Sequence, residues 1–407
     1  MTAFTRRRFL ALSGGAAAAG AATWFGLLHE RTGSAPATSS SASATDRILV
    51  VVQLTGGNDA LNTVIPHDGR YHDLRPTLGI ADDQLVALQG ETSVGLHPAL
   101  QPLVPLWDAG QLAIVPQVGF AADSRSHFES LAAWWTASPE HRASTGWLGR
   151  WLDATGVATD NPLAAVALGG AAVPALHADH SQSTAVNDIA SFRLLAPRGV
   201  DGAGLASAFA ATAAPVSADD LHAQSQASVA AALRAVDLLS SANAPTDVEP
   251  GSITEGLLTA ATLIEMDLGT RVFLVSGTGF DTHANQLTNH QDLLADLAKG
   301  VSAFFAELAT SGRADRVLLV TTSEFGRRAA QNGSDGTDHG HGGVHFVAGP
   351  AAHGGLHGAV DVSSLVDGDL AAAVDTRSLY AAGLDWLGGP SAELLDGHRD
   401  TIGLVSV

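Results

Sequence analysis

Four stretches of this chain are apolar at successive positions, and nothing else in it limits the possible folds as much. They are Arg47–Leu54 (RILVVVQL), Leu112–Val118 (LAIVPQV), Thr270–Ser276 (TRVFLVS) and Arg316–Thr321 (RVLLVT), with Val344–Ala348 (VHFVA) as a shorter fifth. A strand with one wet face alternates polar and apolar residues. A strand that is apolar on both faces must be covered on both, which is the condition of a parallel sheet flanked by helices. Helical spacing fills the intervals, over His97–Gly110, Ser126–Ala137, Ala223–Ser241, Ser252–Leu268 and Asn289–Thr310. The alternation predicts an α/β fold with a mostly parallel central sheet and helices on both faces. Leu379–Leu387 and Asp400–Val407 read as closing elements. Residues 160–246 are rich in Ala, Ser and Asp, poor in aromatics and without a strong strand pattern, so an Ala/Ser-rich helical insertion or cap is expected there.

Ligands of open α/β sheets bind beyond the carboxyl ends of the strands, and polar chemistry follows each of the four strands here. After the first comes Thr55-Gly56-Gly57-Asn58-Asp59-Ala60-Leu61-Asn62. Its paired glycines allow close backbone approach, and Asp59 can reach a cation or cap a turn; the absence of a following Gly-Lys-Ser/Thr excludes a phosphate loop. After the second comes Ser124-Arg125-Ser126-His127-Phe128-Glu129, with Ser126 where a helix begins. A hydroxyl there meets free N–H groups and the positive end of the helix dipole, which suits an anion, or it simply caps the helix. Arg125 and His127 beside it favour the functional reading.

After the third strand, Gly279-Phe280-Asp281-Thr282-His283 offers a carboxylate and an imidazole on a glycine-flanked loop, and His290 lies seven residues further on. After the fourth, Glu324-Phe325-Gly326-Arg327 leads into Asp338-His339-Gly340-His341-Gly342-Gly343-Val344-His345, the densest polar group of the chain. Imidazoles with carboxylate help on flexible backbone suit a divalent metal, unless the loop is merely solvated. His353 and His357 read as surface residues. The chain has no cysteine, which excludes disulfides, thiolate metal sites and cysteine nucleophiles. A metal must then sit on His, Asp, Glu and carbonyl oxygens, which points to Zn, Mn, Fe or Ca.

The N-terminus reads Thr5-Arg6-Arg7-Arg8-Phe9-Leu10, followed by an apolar, Ala/Gly-rich run to Leu28. A twin arginine followed by large apolar residues is the address of the Tat export pathway. Ala42-Ser43-Ala44 offers a cleavage site, although a run of about 18 apolar residues can also remain as an anchor. Residues 1–44 therefore read as signal and linker, and 45–407 as the α/β domain, secreted or held in the cell envelope. The Tat translocon is then a partner during export, with no stable membrane span once the signal is cleaved. The formal charge is −20, and residues 1–44 hold four Arg against one Glu, so the remainder carries about −23. A nucleic-acid grip needs a basic face, and none is visible.

Together these motifs form a recognisable series. Gly56-Gly57-Asn58-Asp59-x-Leu61-Asn62-Thr63-Val64-x-Pro66, Leu74-Arg75-Pro76-Thr77-Leu78, Leu96-His97-Pro98, Arg125-Ser126-His127-Phe128, Gly146-Trp147-Leu148-Gly149-Arg150, Phe280-Asp281-Thr282-His283, Ser323-Glu324-Phe325-Gly326-Arg327 and Thr337-Asp338-His339-Gly340 recur in this order. The chain resembles the bacterial Tat-exported family known as domain of unknown function 1501, which in turn looks like a distant branch of the alkaline phosphatase and sulfatase superfamily. That resemblance implies metal at the strand ends and a hydroxyl nucleophile opening a helix. Ser126 would be the nucleophile, Asp281 and His283 one ligand group, and Glu324, Asp338, His339 and His341 another, with Asp59 near the first-strand ligand. Gln53 and Leu54 stand where the superfamily ends its first strand with Asp, and Glu324-Phe325 stands for its Asp-His pair.

The expected function is metal-dependent hydrolysis of phosphate or sulfate esters. Ser126 would attack a small-molecule ester, with Arg125 or Arg327 stabilising the anionic oxygens. The alternatives are a secreted binding or assembly protein on a degenerate hydrolase scaffold, and an envelope carrier that uses the histidine cluster alone.

Overall fold

The computed structural model describes residues 46–121, 124–140, 142–170, 173–193, 196–212, 220–399 and 402–406. The twin-arginine segment, its cleavage site and the anchor alternative lie outside the described residues, as do both ends of the closing element Asp400–Val407.

The strands are β1 (Ile48–Leu54), β2 (Val64–Pro66), β3 (Val86–Leu88), β4 (Glu91–Leu96), β5 (Leu112–Gly119), β6 (Ala165–Leu168), β7 (Thr184–Val186), β8 (Val272–Gly277), β9 (Val317–Thr322), β10 (Gly343–Ala348), β11 (Gly355–Leu356) and β12 (Val374–Asp375). Nine of them form the central sheet in the order β11-β5-β10-β9-β1-β8-β6-β7, with β12 also pairing with β5. β2, β4 and β3 make a small antiparallel sheet of their own. Among the described residues of the central sheet, only β10 runs against its neighbours β5 and β9; the other strand pairings are parallel.

β1 shows why the apolar runs were legible. All seven of its residues are buried. Ile48, Val50, Val52 and Leu54 point to one face, where they join Leu257 and Ile264 of the helix Ile253–Glu265 and Leu294, Leu297 and Phe304 of the helix Gln286–Ser311. Leu49 and Val51 point to the other, among Trp151 of Trp147–Thr155 and Leu379 and Leu384 of Thr376–Trp386. Each such side chain contributes about 1.5–3 kcal/mol on burial, against the entropy of ordering the chain. Among the described residues, no helix is long and apolar enough to cross a membrane.

The Ala/Ser-rich helices expected in residues 160–246 are Gly202–Thr212 and Asp220–Leu239, and the region also holds two short strands that the sequence pattern did not show. Ala165–Leu168 (AVAL) pairs in parallel with β8, and Thr184–Val186 pairs with it in turn, so the region extends the central sheet before the helices Gly202–Thr212 and Asp220–Leu239 begin. Three or four residues with so much alanine carry no period of their own. Pairing with a strand about a hundred residues further on makes them strand, because tertiary context overrides propensity.

Candidate metal centre

β9, β1 and β8 are adjacent and parallel, so the loops leaving their carboxyl ends emerge side by side. The glycine pair after β1 lets those loops close on one another. Gly56 has φ 125° and Gly57 φ 82°. A Cβ on Gly56 would stand 2.3 Å from the Asp281 backbone nitrogen, and one on Gly57 2.4 Å from the Phe325 ring. Arg327, 1% exposed, pins the junction. It donates from Nε to Gly57 O (2.7 Å), from Nη1 to Thr337 O (2.9 Å), and from Nη2 to Gly56 O and to Phe280 O (3.0 Å).

On this frame three imidazoles turn toward Asp281. Asp281 Oδ1 lies 3.0 Å from His283 Nε2 and 3.1 Å from His339 Nε2, and those two nitrogens are 2.9 Å apart. His127, the first residue of the helix His127–Thr136, brings Nε2 to 3.5 Å from Asp281 Oδ2. His127, Asp281 and His339 offer ligand atoms that all lie within 4.8 Å of one another. Tetrahedral donors about 2.0–2.1 Å from zinc are separated by roughly 3.3 Å, so the triangle of Asp281, His283 and His339 is close to that spacing.

Each ring is held from behind on its other nitrogen. His127 Nδ1 meets Glu324 Oε1 at 2.8 Å, His283 Nδ1 meets Asp338 Oδ1 at 3.2 Å, and His339 Nδ1 meets the Arg125 carbonyl at 2.9 Å. An oxygen acceptor at Nδ1 fixes the ring and turns Nε2 inward, where without an ion it meets the Asp281 carboxylate and, for His283 and His339, the other ring. An imidazole so held has the ring orientation that metal ligation requires, and its oxygen partner on Nδ1 favours the Nδ1–H tautomer once Nε2 binds an ion. Asn332 Nδ2 steadies Asp338 at 3.2 Å, and Phe325 packs beneath His127 and His339, with ring centroids 4.9 and 4.5 Å away. Glu324 is buried; its Oε1 also accepts from Gly56 N at 2.9 Å, while its Oε2 has no hydrogen-bond partner among the described residues.

The electrostatics follow from these contacts. Burial works to raise the Asp281 pKa, but hydrogen bonds from Arg327 (Nη2, 2.6 Å) and His339, with the nearby positive charges, outweigh it and hold the carboxyl at about 2. The hydrogen bond to Glu324 pushes His127 up, against burial and with help from the Glu324 and Asp281 charges. Burial pushes His339 down. The Asn332 hydrogen bond leads in holding Asp338 below the usual carboxylate range.

Other residues singled out from the sequence are placed differently. Asp59 is buried and spent: Arg75 binds it at 2.5 Å (Nη1–Oδ2) and 2.9 Å (Nη2–Oδ1), and Gln286 and the Leu61 N–H take further contacts. Among the described residues, no hydrogen bond or ion pair joins it to His127, Asp281, His283 or His339. His290 is buried with Nε2 at 2.9 Å from Asn58 Oδ1, and burial pushes its pKa down to about 3; its seven-residue offset from His283 puts it inside the helix Gln286–Ser311. His341 Nε2 accepts from Arg125 (3.2 Å from Nε, 3.0 Å from Nη2) and lies 3.8 Å from Asp369 Oδ2. Arg327 orients Asp281 from within the protein, and its burial keeps it from an external anion. Ser126 occupies the N-cap position, and its side chain makes no capping bond. Sequence reasoning missed Arg75, Asn332 and Asp369, the last a buried carboxylate on Arg125; single polar residues in loops carry no pattern.

The fold and the cluster define an α/β protein with an imidazole–carboxylate centre at the carboxyl edge of a mostly parallel sheet. The chain belongs to the family described as protein of unknown function (DUF1501), which matches residues 124–402. Among solved structures it is similar to the lipoteichoic acid synthase LtaP from Listeria monocytogenes, at 9% identity over 89% of this chain and 77% of that one, with a TM-score of 0.38. It is also similar to a protein in the alkaline phosphatase superfamily from Vibrio parahaemolyticus (10% identity, 87% and 69% covered, TM-score 0.41). A third is the sulfatase PsFucS1 from Pseudoalteromonas sp. (11% identity, 88% and 72% covered, TM-score 0.40). None of the curated proteins matches the chain.

Proposed function

We propose that this protein is a metal-dependent hydrolase of phosphate or sulfate esters, exported by the twin-arginine pathway. The observation that carries the reading is the set of three imidazoles, each held by an oxygen on Nδ1 and turned inward on Nε2 around one carboxylate. Such a set suits Zn, Mn or Fe better than Ca, which prefers oxygen donors. His127, Asp281, His283 and His339 would hold the ion, which when bound supplies Lewis acidity toward an ester oxygen. Ser126 Oγ, at the helix start and uncommitted to capping, would attack phosphorus or sulfur; the ester oxygen leaves, and water later frees the anion. The helix N-terminus and the half-buried Arg125 guanidinium offer donors to the anionic oxygens.

A second reading keeps the scaffold and gives up the chemistry. Arg327 Nη2 already supplies a cation to Asp281 at 2.6 Å, as a degenerate site would. Metal analysis of mature protein purified without a tag or chelator separates the two. Near-stoichiometric metal, lost in His283→Ala, together with ester turnover abolished by Ser126→Ala at retained metal content, supports the hydrolase. A protein that takes up no metal on dialysis has the degenerate scaffold and a binding role.

A further inference from the structure

We infer that Gln286 is a positioning residue: its one buried amide ties the loop that carries Asp281 and His283 to the segment that carries His339, and so sets the spacing between their donors. Its consequence for binding rests on the metal-centre reading above; the tie itself does not.

Gln286 is the first residue of the helix Gln286–Ser311 and is fully buried. Both ends of its amide are committed. Nε2 donates to Asp59 Oδ2, and Oε1 accepts from Thr282 Oγ1 at 3.1 Å and from Thr337 Oγ1 at 2.7 Å. The partners fix which way round the amide lies. Both Asp59 oxygens already accept from Arg75, so the group facing them is the NH2. The carbonyl oxygen then has two lone pairs for two hydroxyls. Thr282 stands between Asp281 and His283, Thr337 lies two residues before His339, and both threonines are buried. One amide therefore joins the loop after β1, the loop after β8 and the approach to β10.

Other bonds run between the last two segments. Thr337 N–H donates to Thr282 O at 3.2 Å, Gln286 N–H to Asp335 O at 2.9 Å, and Asn332 Nδ2 to His283 O at 3.0 Å. Asn332 and Asp335 reach solvent, where water replaces a lost partner. At the Gln286 side chain it does not. A hydroxyl left unpartnered in a dry site carries its whole desolvation cost, so the segments shift to recover a partner. Asp281 Oδ1, His283 Nε2 and His339 Nε2 lie 2.9–3.1 Å from one another across this tie, and movement of either segment alters that spacing. Among the described residues, no hydrogen bond joins Gln286 itself to a donor of the centre.

The experiment compares the full mature chain with Gln286→Met, of similar length but without the amide, with Thr337→Val, nearly isosteric but without the hydroxyl, and with the double variant. The first readout needs no ion. Hydrogen exchange of metal-free protein, by mass spectrometry of peptides covering residues 279–286 and 332–341, should run roughly five- to tenfold faster in both segments of each single variant. The second is calorimetric zinc affinity, roughly tenfold weaker in each, with the visible absorption of bound Co(II) altered because the donor geometry has moved. The double variant should bind no more weakly than Gln286→Met alone, since both substitutions break the same tie. Should Gln286→Met fail to fold, Thr337→Val carries the same two readouts. Unchanged exchange in either segment overturns the inference, as do losses of zinc affinity that add in the double variant. Lower stability with zinc affinity and Co(II) absorption unchanged also overturns it, because Gln286 would then hold the fold and not the donors. A wild type that binds neither ion, while both segments loosen in the variants, refutes the metal reading and upholds the tie.

Discussion

Glu324 ties the backbone of one loop to a side chain of another through a single oxygen. Its Oε1 accepts from both Gly56 N and His127 Nδ1, and the hydrogen bond to His127 is the leading cause that raises that imidazole above its ordinary 6.5. A histidine whose folded pKa is raised contributes stability that is complete below the unfolded value and is lost as pH rises through the folded one. Glu324→Gln should therefore bring the His127 titration, followed by NMR in chelator, back toward 6.5. It should also flatten the fall in denaturant midpoint of the metal-free protein above pH 6.5; an unmoved titration would show that Glu324 does not set the His127 charge. The histidines of this centre were legible because imidazoles are conspicuous and sit directly after recognisable strands. The assignment of Asp59 was not, because its partner Arg75 lies 16 residues away and only the folded chain shows both carboxylate oxygens taken. His290 misled for the same reason: its partner Asn58 is 232 residues distant.

At the scale of elements, the long apolar strands announced themselves and the short ones did not. β1, β5, β8 and β9 carry enough Val, Ile and Leu to be buried on both faces in any α/β arrangement, whereas AVAL fits a helix as well as a strand. Side-by-side placement of β9, β1 and β8 was not written in the sequence either, and it is what turns three separate polar loops into one centre. The loop after β1 is the tightest part of that junction. Gly56→Ala would force a Cβ to within 2.3 Å of the Asp281 backbone nitrogen at a φ of 125°, which only glycine adopts readily. Backbone cannot swing aside as a long side chain can, so the loop carrying Asp281 and His283 must move. We expect about 1–3 kcal/mol lower stability by urea unfolding, with zinc affinity falling alongside because two donors shift together. Stability lost with zinc affinity intact would mean that the loops re-close around the intruding methyl.

Across the whole molecule, the candidate donors come from segments far apart in the chain: His127 from the helix beyond β5, Asp281 and His283 from the loop after β8, and His339 from the approach to β10. The unfolded chain cannot present them together, so an ion held here binds the folded state alone and adds stability by mass action, about 2.7 kcal/mol when free metal is a hundredfold above the dissociation constant. Chelation should remove that gain, lowering the unfolding midpoint of the wild type and making it depend on free zinc. In His283→Ala the added stability should be largely gone and the chelator should have little further effect. The metal-free variant should unfold close to the metal-free wild type, because the His283 side chain is 43% exposed and packs into no core. The comparison separates a ligand from a structural residue: a structural histidine lowers both curves equally, whereas a ligand lowers only the metal-loaded one. If chelator leaves the midpoint of metal-loaded wild type unchanged, the ion is not held by residues that folding brings together, and these imidazoles are not its ligands.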